Sequence, residues 1–139
     1  MRRALAAGAL ALLVAVGPAM AAPTVRVTSF RVLKADGRTP ASQPLTRGVP
    51  YVYRLDYRIG GRRVARVRRA GTFWSPYRDR LVEIAPRPQL ADPGRYFASD
   101  RLQVKRSDSP GEYRLTYAIT ARDSTGATTR TAELRMRFR

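Results

Sequence analysis

The chain has 139 residues, with 27 Lys and Arg against 10 Asp and Glu, a formal net charge of +17, and it contains neither Cys nor His. That composition excludes disulfides, thiol nucleophiles, Ser-His-Asp triads, His-ligated metals and zinc fingers. Carboxylates, hydroxyls and guanidinium groups remain, on a chain whose length suits one domain.

The first segment has three parts. Met1-Arg2-Arg3 is a basic start, Ala4 to Val16 is an uncharged run of Ala, Leu, Val and Gly, and Ala19-Met20-Ala21 is a small-residue cleavage pattern. Together they read as a secretory signal peptide over 1–21, cut after Ala21; a retained apolar helix is the other reading. The run is shorter than the roughly 20 apolar residues that span a bilayer. Residues 22–139 then form a single domain with 25 basic and 10 acidic side chains, a net +15, and no transmembrane segment. The expected location is periplasmic or secreted. In that oxidising space the domain has no disulfide to rely on, so core burial alone must hold it.

From Val25 to Leu33 the apolar residues change parity, from Val25 and Val27 to Phe30 and Val32, which predicts a bulged strand or one that changes sheets. Val49 to Ile59 alternates strictly: Val49, Tyr51, Tyr53, Leu55, Tyr57 and Ile59 share one face, and Arg54, Asp56 and Arg58 the other. Val64 to Val67, running on towards Phe73, is a strand flanked by arginines. Leu81 to Ala85 and Arg101 to Lys105 are shorter candidates, with Pro86, Pro88 and Pro93 marking loop between them. Tyr113 to Ala121 and Ala132 to Phe138 alternate again, and Asp123-Ser124-Thr125-Gly126 between them makes a hairpin. No window beyond residue 22 carries a helical stripe. The expected fold is all-β, a single antiparallel β-sandwich of about seven strands.

Pro110-Gly111-Glu112-Tyr113-Arg114-Leu115-Thr116-Tyr117, with Asp123-Ser124-Thr125-Gly126 and Thr131 to Met136 beyond it, resembles strands F and G of immunoglobulin-like and fibronectin type III-like modules of exported bacterial proteins. The resemblance implies that Tyr113 is a tyrosine-corner residue, its ring in the core and its hydroxyl bonded to backbone upstream. Leu115 stands where antibody domains place a Cys, and Trp74 lies too far along for their core tryptophan, so the likeness implies an architecture and no activity. A small outer-membrane barrel shares the alternation. Against it, Arg62-Arg63-Val64-Ala65-Arg66-Val67-Arg68-Arg69 has arginine at both parities, which would set Arg against lipid at about 2–4 kcal/mol.

Only Lys34 and Lys105 are lysines. Guanidinium groups grip phosphate, sulfate and carboxylate in bidentate fashion. If strands C, F and G share a sheet, as the resemblance implies, then Arg66, Arg68, Arg114, Arg122, Arg135 and Arg137 share one solvent face, an expected anion-binding surface. A merely solvated strand face is the plainer reading, although +15 exceeds the magnitude of about 2–8 that keeps a small domain soluble. In the aromatic stretch from Phe73 to Arg80, Trp74, Tyr77 and Arg78 are candidates for a partner-binding loop, against a reading in which Phe73 and Trp74 fold back into the core.

Asp79 with Glu83, or Asp92 with Asp100, are the carboxylate pairs available for acid–base work. Each lies among arginines that favour ion pairing, so the expectation is a non-catalytic protein without cofactor or metal. Its expected partner is an anionic polymer, a lipid headgroup or an acidic protein, and not intracellular nucleic acid. The alternative is a structural or chaperone-like role through exposed sheet edges, with Val25–Leu33 and Ala132–Phe138 as the edges.

Overall fold

A strand that is apolar on one face and charged on the other is stable only when a second sheet covers the apolar face. The computed structural model, which describes residues 21–139, shows how this chain meets that condition. The expected signal peptide, apart from Ala21, lies outside the described residues.

Eight strands follow in order: β1 Thr24–Lys34, β2 Tyr51–Gly60, β3 Ala65–Trp74, β4 Arg80–Ile84, β5 Gln89–Ala91, β6 Gly94–Leu102, β7 Gly111–Asp123 and β8 Gly126–Phe138. They form a three-stranded sheet, β1-β2-β6, and a five-stranded sheet, β4-β3-β7-β8, in which β5 also pairs with β3. All the ladders are antiparallel. The two sheets pack face to face as an immunoglobulin-like β-sandwich, not a closed barrel. Among the described residues no helix is long and apolar enough to cross a membrane.

The predicted parity change in β1 is a bulge. Its register against β2 slips between Val27 and Ser29, which turns Phe30 and Val32 to the same inner face as Val25 and Val27. The β7–β8 hairpin closes at Asp123↔Gly126, where the Asp123 carboxylate accepts from the backbone N–H and the hydroxyl of Thr125. The Tyr113 hydroxyl donates to the carbonyl of Ser109 at 2.7 Å, the contact that the tyrosine-corner resemblance implies.

Three expectations need correction. Val49 is exposed and lies before β2, which begins at Tyr51. The short strand expected at Arg101–Lys105 is the tail of the longer β6, Gly94–Leu102. The prolines from Pro86 to Pro93 do not mark unbroken loop, because β5 forms between Pro88 and Pro93. Strand β5 is only three residues long, too short to show alternation, and β6 breaks it by carrying Asp100 on its inner parity opposite Tyr53. An edge strand keeps polar residues, and here the exposed Phe97 sits on the solvent side of β6, where it blurs the pattern.

The core is aromatic at its centre. Tyr53 of β2 and Tyr117 of β7 meet hydroxyl to hydroxyl across the two sheets at 2.6 Å, and the Phe30 ring stands edge-on to both. Gly71 of β3 leaves room for that ring: a Cβ there would lie 2.7 Å from Tyr117. Further along the same interior Phe73 stacks on Tyr113, and Phe138 meets Tyr113 edge to face. On the open side, the partly buried Arg69 of β3 reaches across to the carbonyl of Phe97 on β6 at 3.3 Å.

The long connection 35–50 shields an edge. Leu45 is fully buried and pairs in parallel with Phe138, its N–H donating to Arg137 O while its carbonyl accepts from Arg139 N–H. The Gln43 side chain donates to Arg135 O and accepts from Arg137 N–H. The last part of β8 is therefore already paired along its outer edge.

Two predictions follow from the tyrosine pair. Replacing either Tyr53 or Tyr117 by Phe strands one buried hydroxyl and is expected to cost about 1–3 kcal/mol; the double Phe variant, which keeps the packing, should lie nearer the parent in a urea-denaturation cycle. Burial also raises the hydroxyl pKa of Tyr53, Tyr57, Tyr113 and Tyr117 above the ordinary 10.0. The unfolded chain therefore ionises first, so stability should be full below pH 10 and fall as pH rises beyond it, as urea midpoints across pH 8–12 will show.

Candidate functional site

Strand alternation sends Arg66, Arg68, Thr72 and Trp74 of β3 outward, with Arg114, Thr116, Thr120 and Arg122 of β7 and Thr129, Glu133, Arg135 and Arg137 of β8. All three strands share the five-stranded sheet, so the six arginines picked from the sequence do lie on one face. That face is not uniformly positive. In register it reads Arg66↔Arg122↔Ala127, then Arg68↔Thr120↔Thr129, then Ala70↔Ala118↔Thr131, then Thr72↔Thr116↔Glu133, and last Trp74↔Arg114↔Arg135. One neutral row and one that holds Glu133 separate two arginine groups by roughly 20 Å at about 3.3 Å per residue.

The groups differ in their partners. At the Trp74 end, Arg114 pairs with Glu133 at 3.5 Å, and Arg135 pairs with Glu133 at 3.3 Å and Glu112 at 3.9 Å. Arg137 stands directly across from Glu112. Acids therefore blunt the charge of Arg114, Arg135 and Arg137. At the other end, Arg66, Arg68 and Arg122 line an open groove of about 450 Å³ with Pro88, Thr120 and Thr129, and no carboxylate lines it. The two threonine hydroxyls are hydrogen-bonded at 2.7 Å and form its floor. Nearby Asp123 is occupied in the hairpin, where hydrogen bonds from Thr125 hold its carboxyl below the usual range.

The aromatic loop divides. Phe73 is core, as one reading expected, but Trp74 lies half-buried on the outer face, its indole N–H donating to the Thr116 hydroxyl at 3.0 Å. The guanidinium groups of Arg80 and Arg114 each lie 5.8 Å from its ring centre. Tyr77 is 71% exposed and stands apart. Arg78 holds a left-handed φ of 67° in a turn closed by Ser75, and lines a surface recess with Arg114, Arg135 and Glu112. The loop and the acid-bearing arginine group are thus brought together, while Arg66, Arg68 and Arg122 are not part of that cluster.

The carboxylate pairs do not face one another across a cleft. Glu83 is bonded to Arg80, and Asp92 and Asp100 flank opposite ends of β6. Among the described residues no group of three or more acidic side chains gathers to hold a metal.

Arginines that the sequence reading passed over lie on the other sheet. Arg26, Arg58 and Arg95 sit directly opposite one another on β1, β2 and β6, all exposed. Their signal was available for Arg26 and Arg58, which occupy the polar parity of their strands. Arg95 was invisible while β6 went unrecognised. Because residues 61–64 join β2 directly to β3, this row and the Arg66 group occupy the same end of the sandwich.

Fold and site together define an immunoglobulin-like β-sandwich with a basic end. No family model matches the chain, and no curated protein matches it. Among solved structures it is similar to the Pseudomonas fluorescens alkylpurine DNA glycosylase AlkC bound to DNA containing an abasic site analog, at TM-score 0.51 and 8% identity over 83% of this chain. The match takes in only 30% of the glycosylase, and it shows the fold alone. Further likenesses are to an immunoglobulin-like protein from Pseudomonas aeruginosa (TM-score 0.47, 12% identity, 84% of this chain and 97% of that one) and a Niemann-Pick type C2 protein from Japanese carpenter ant (TM-score 0.47, 6% identity, 83% and 92%).

Trp74→Phe removes the indole hydrogen bond and weakens two cation–ring contacts, and is expected to cost about 1–2 kcal/mol in chemical denaturation followed by circular dichroism. Because Trp74 belongs to the acid-bearing end, the same variant should bind polyanions as the parent does.

Proposed function

We propose that the chain is an exported, non-catalytic binding module, of the immunoglobulin-like kind found in exported bacterial proteins, that takes an anionic envelope component, polysaccharide or acidic protein partner. One observation carries this reading: Arg66, Arg68 and Arg122 converge on a groove lined by hydroxyls and without a carboxylate, while most acids lie elsewhere. Guanidinium forks there have no ion-pair partner among the described residues, so an incoming phosphate, sulfate or carboxylate meets unspent charge-assisted donors. The net +15 of residues 22–139 adds a long-range field that concentrates anions and weakens with salt. The apolar and small-residue pattern of residues 1–21 supports export to the periplasm or beyond.

Binding to an immobilised heparin-like polyanion and to lipid A-bearing vesicles, at several salt concentrations, tests the reading. The triple variant Arg66→Glu, Arg68→Glu, Arg122→Glu should lose more than about tenfold in affinity, roughly 1.4 kcal/mol, and Arg114→Glu with Arg135→Glu should lose less. Equal losses, or none, would reject this assignment. A complex from the cell envelope that survives high salt and ignores these charges would instead support assembly through sheet edges.

A further inference from the structure

The outer face of the three-stranded sheet poses an electrostatic problem of its own. Arg26↔Arg58 and Arg58↔Arg95 are directly opposed cross-strand pairs, an arrangement in which like charges destabilise a sheet. None of the three has a carboxylate partner among the described residues. Beside the row lies a groove of about 430 Å³ lined by Thr28, Ser29, Arg31, Asp56, Arg58 and Arg95 among others.

The β1 bulge shapes this groove. The slip between Val27 and Ser29 sets two hydroxyl residues in succession beside the arginines, and bulges commonly re-aim side chains in this way. Thr28 uses its hydroxyl to donate to Asp56 O at 3.2 Å, whereas the Ser29 hydroxyl has no hydrogen-bond partner among the described residues. Asp56, the one acid in the groove, is held by Arg54 at 3.0 Å. Arg54 also lies 4.2 Å from the Phe97 ring centre, so this neutralised pair is fixed on the sheet. What remains is a set of cationic forks and one free hydroxyl around a small space.

We infer that Arg31, Arg58 and Arg95, with Arg26 beside them and the Ser29 hydroxyl, form a second oxyanion site, on the face opposite the Arg66 groove, that takes a compact phosphate or sulfate ester group. A tetrahedral oxyanion presents oxygens to several guanidinium groups at once and accepts from the hydroxyl. It also removes the repulsion along the row, so binding and stability are coupled. A single planar carboxylate has fewer acceptor directions for three forks and is the poorer ligand.

The test is a titration of the protein, labelled for NMR, with inorganic phosphate and separately with sulfate, at ionic strength held constant with chloride. Saturable amide shifts are expected at Thr28, Ser29, Arg58 and Arg95, retained in Arg66→Gln with Arg122→Gln and lost in Arg58→Gln with Arg95→Gln. Acetate should shift them less, and a sugar phosphate run beside a sugar sulfate identifies which ester is preferred. Thermal melting supplies an independent check. Phosphate should raise the Tm of the parent above the chloride control, whereas Arg58→Gln with Arg95→Gln should melt higher in chloride and gain nothing from phosphate. Shifts that rise linearly, that appear equally at Arg114 and Arg135, or that persist in the Arg58/Arg95 variant would overturn the site. The Arg66 groove stands or falls separately, on the polyanion affinity of its own charge-reversal variant.

Discussion

The two sheets are keyed to one another by the hydroxyl contact between Tyr53 and Tyr117, made at 2.6 Å at the centre of the aromatic core. Elsewhere in the core, apolar contacts are non-directional and would tolerate a shift of one sheet over the other. A buried hydroxyl pair does not, because sliding either strand leaves polar atoms without partners. Phe30 set against both rings, and a glycine at position 71 to admit Tyr117, reinforce the same alignment. With no disulfide in the chain, this directional contact, the tyrosine corner at Tyr113 and the seal of Leu45 on Phe138 supply the specificity that a cross-link gives other sandwiches.

Once the inner faces are fixed, the outer ones follow, because alternation leaves the charged residues nowhere else to go. Register then decides which charges meet. It sets Arg66 opposite Arg122 and Arg26 opposite Arg58, but it brings Glu133 and Glu112 to Arg114, Arg135 and Arg137. Asp36, Asp79, Glu83, Asp100, Asp108, Glu112 and Glu133 lie towards the Trp74 end of the sandwich and Asp56 lies mid-strand on β2 beside Arg54, leaving Asp92 and Asp123 at the end where β2 passes into β3. The molecule is therefore basic overall yet polarised along its strands. Exposed guanidinium groups stand at both ends, but Arg26, Arg58, Arg66, Arg68, Arg95 and Arg122, at the end poor in acids, have no ion-pair partner among the described residues.

Much of this was legible from the residues. Alternation in β2, β7 and β8 revealed which side chains enter the core, and the parity change in β1 announced its bulge, because in each case a buried face imposes a period of two. Strand β6 was hidden because its alternation is broken on both sides, with the apolar Phe97 on the outer parity and Asp100 on the inner one. The candidate site was read only in part for a related reason. Periodicity tells which face an arginine occupies, so Arg66, Arg68 and Arg122 were found together with Arg114, Arg135 and Arg137. It does not tell which glutamate the register sets beside each, and that pairing is what separates the two groups.

The proposed binding surface is the acid-poor end of the sandwich. Arginine-selective modification with a dicarbonyl reagent, quantified residue by residue by mass spectrometry with and without a heparin-like oligosaccharide, addresses it most directly. Protection is expected at Arg66, Arg68 and Arg122, with Arg80, Arg114 and Arg135 modified as in the free protein. Protection centred on Arg114 and Arg135, or spread evenly over all the exposed arginines, would contradict it.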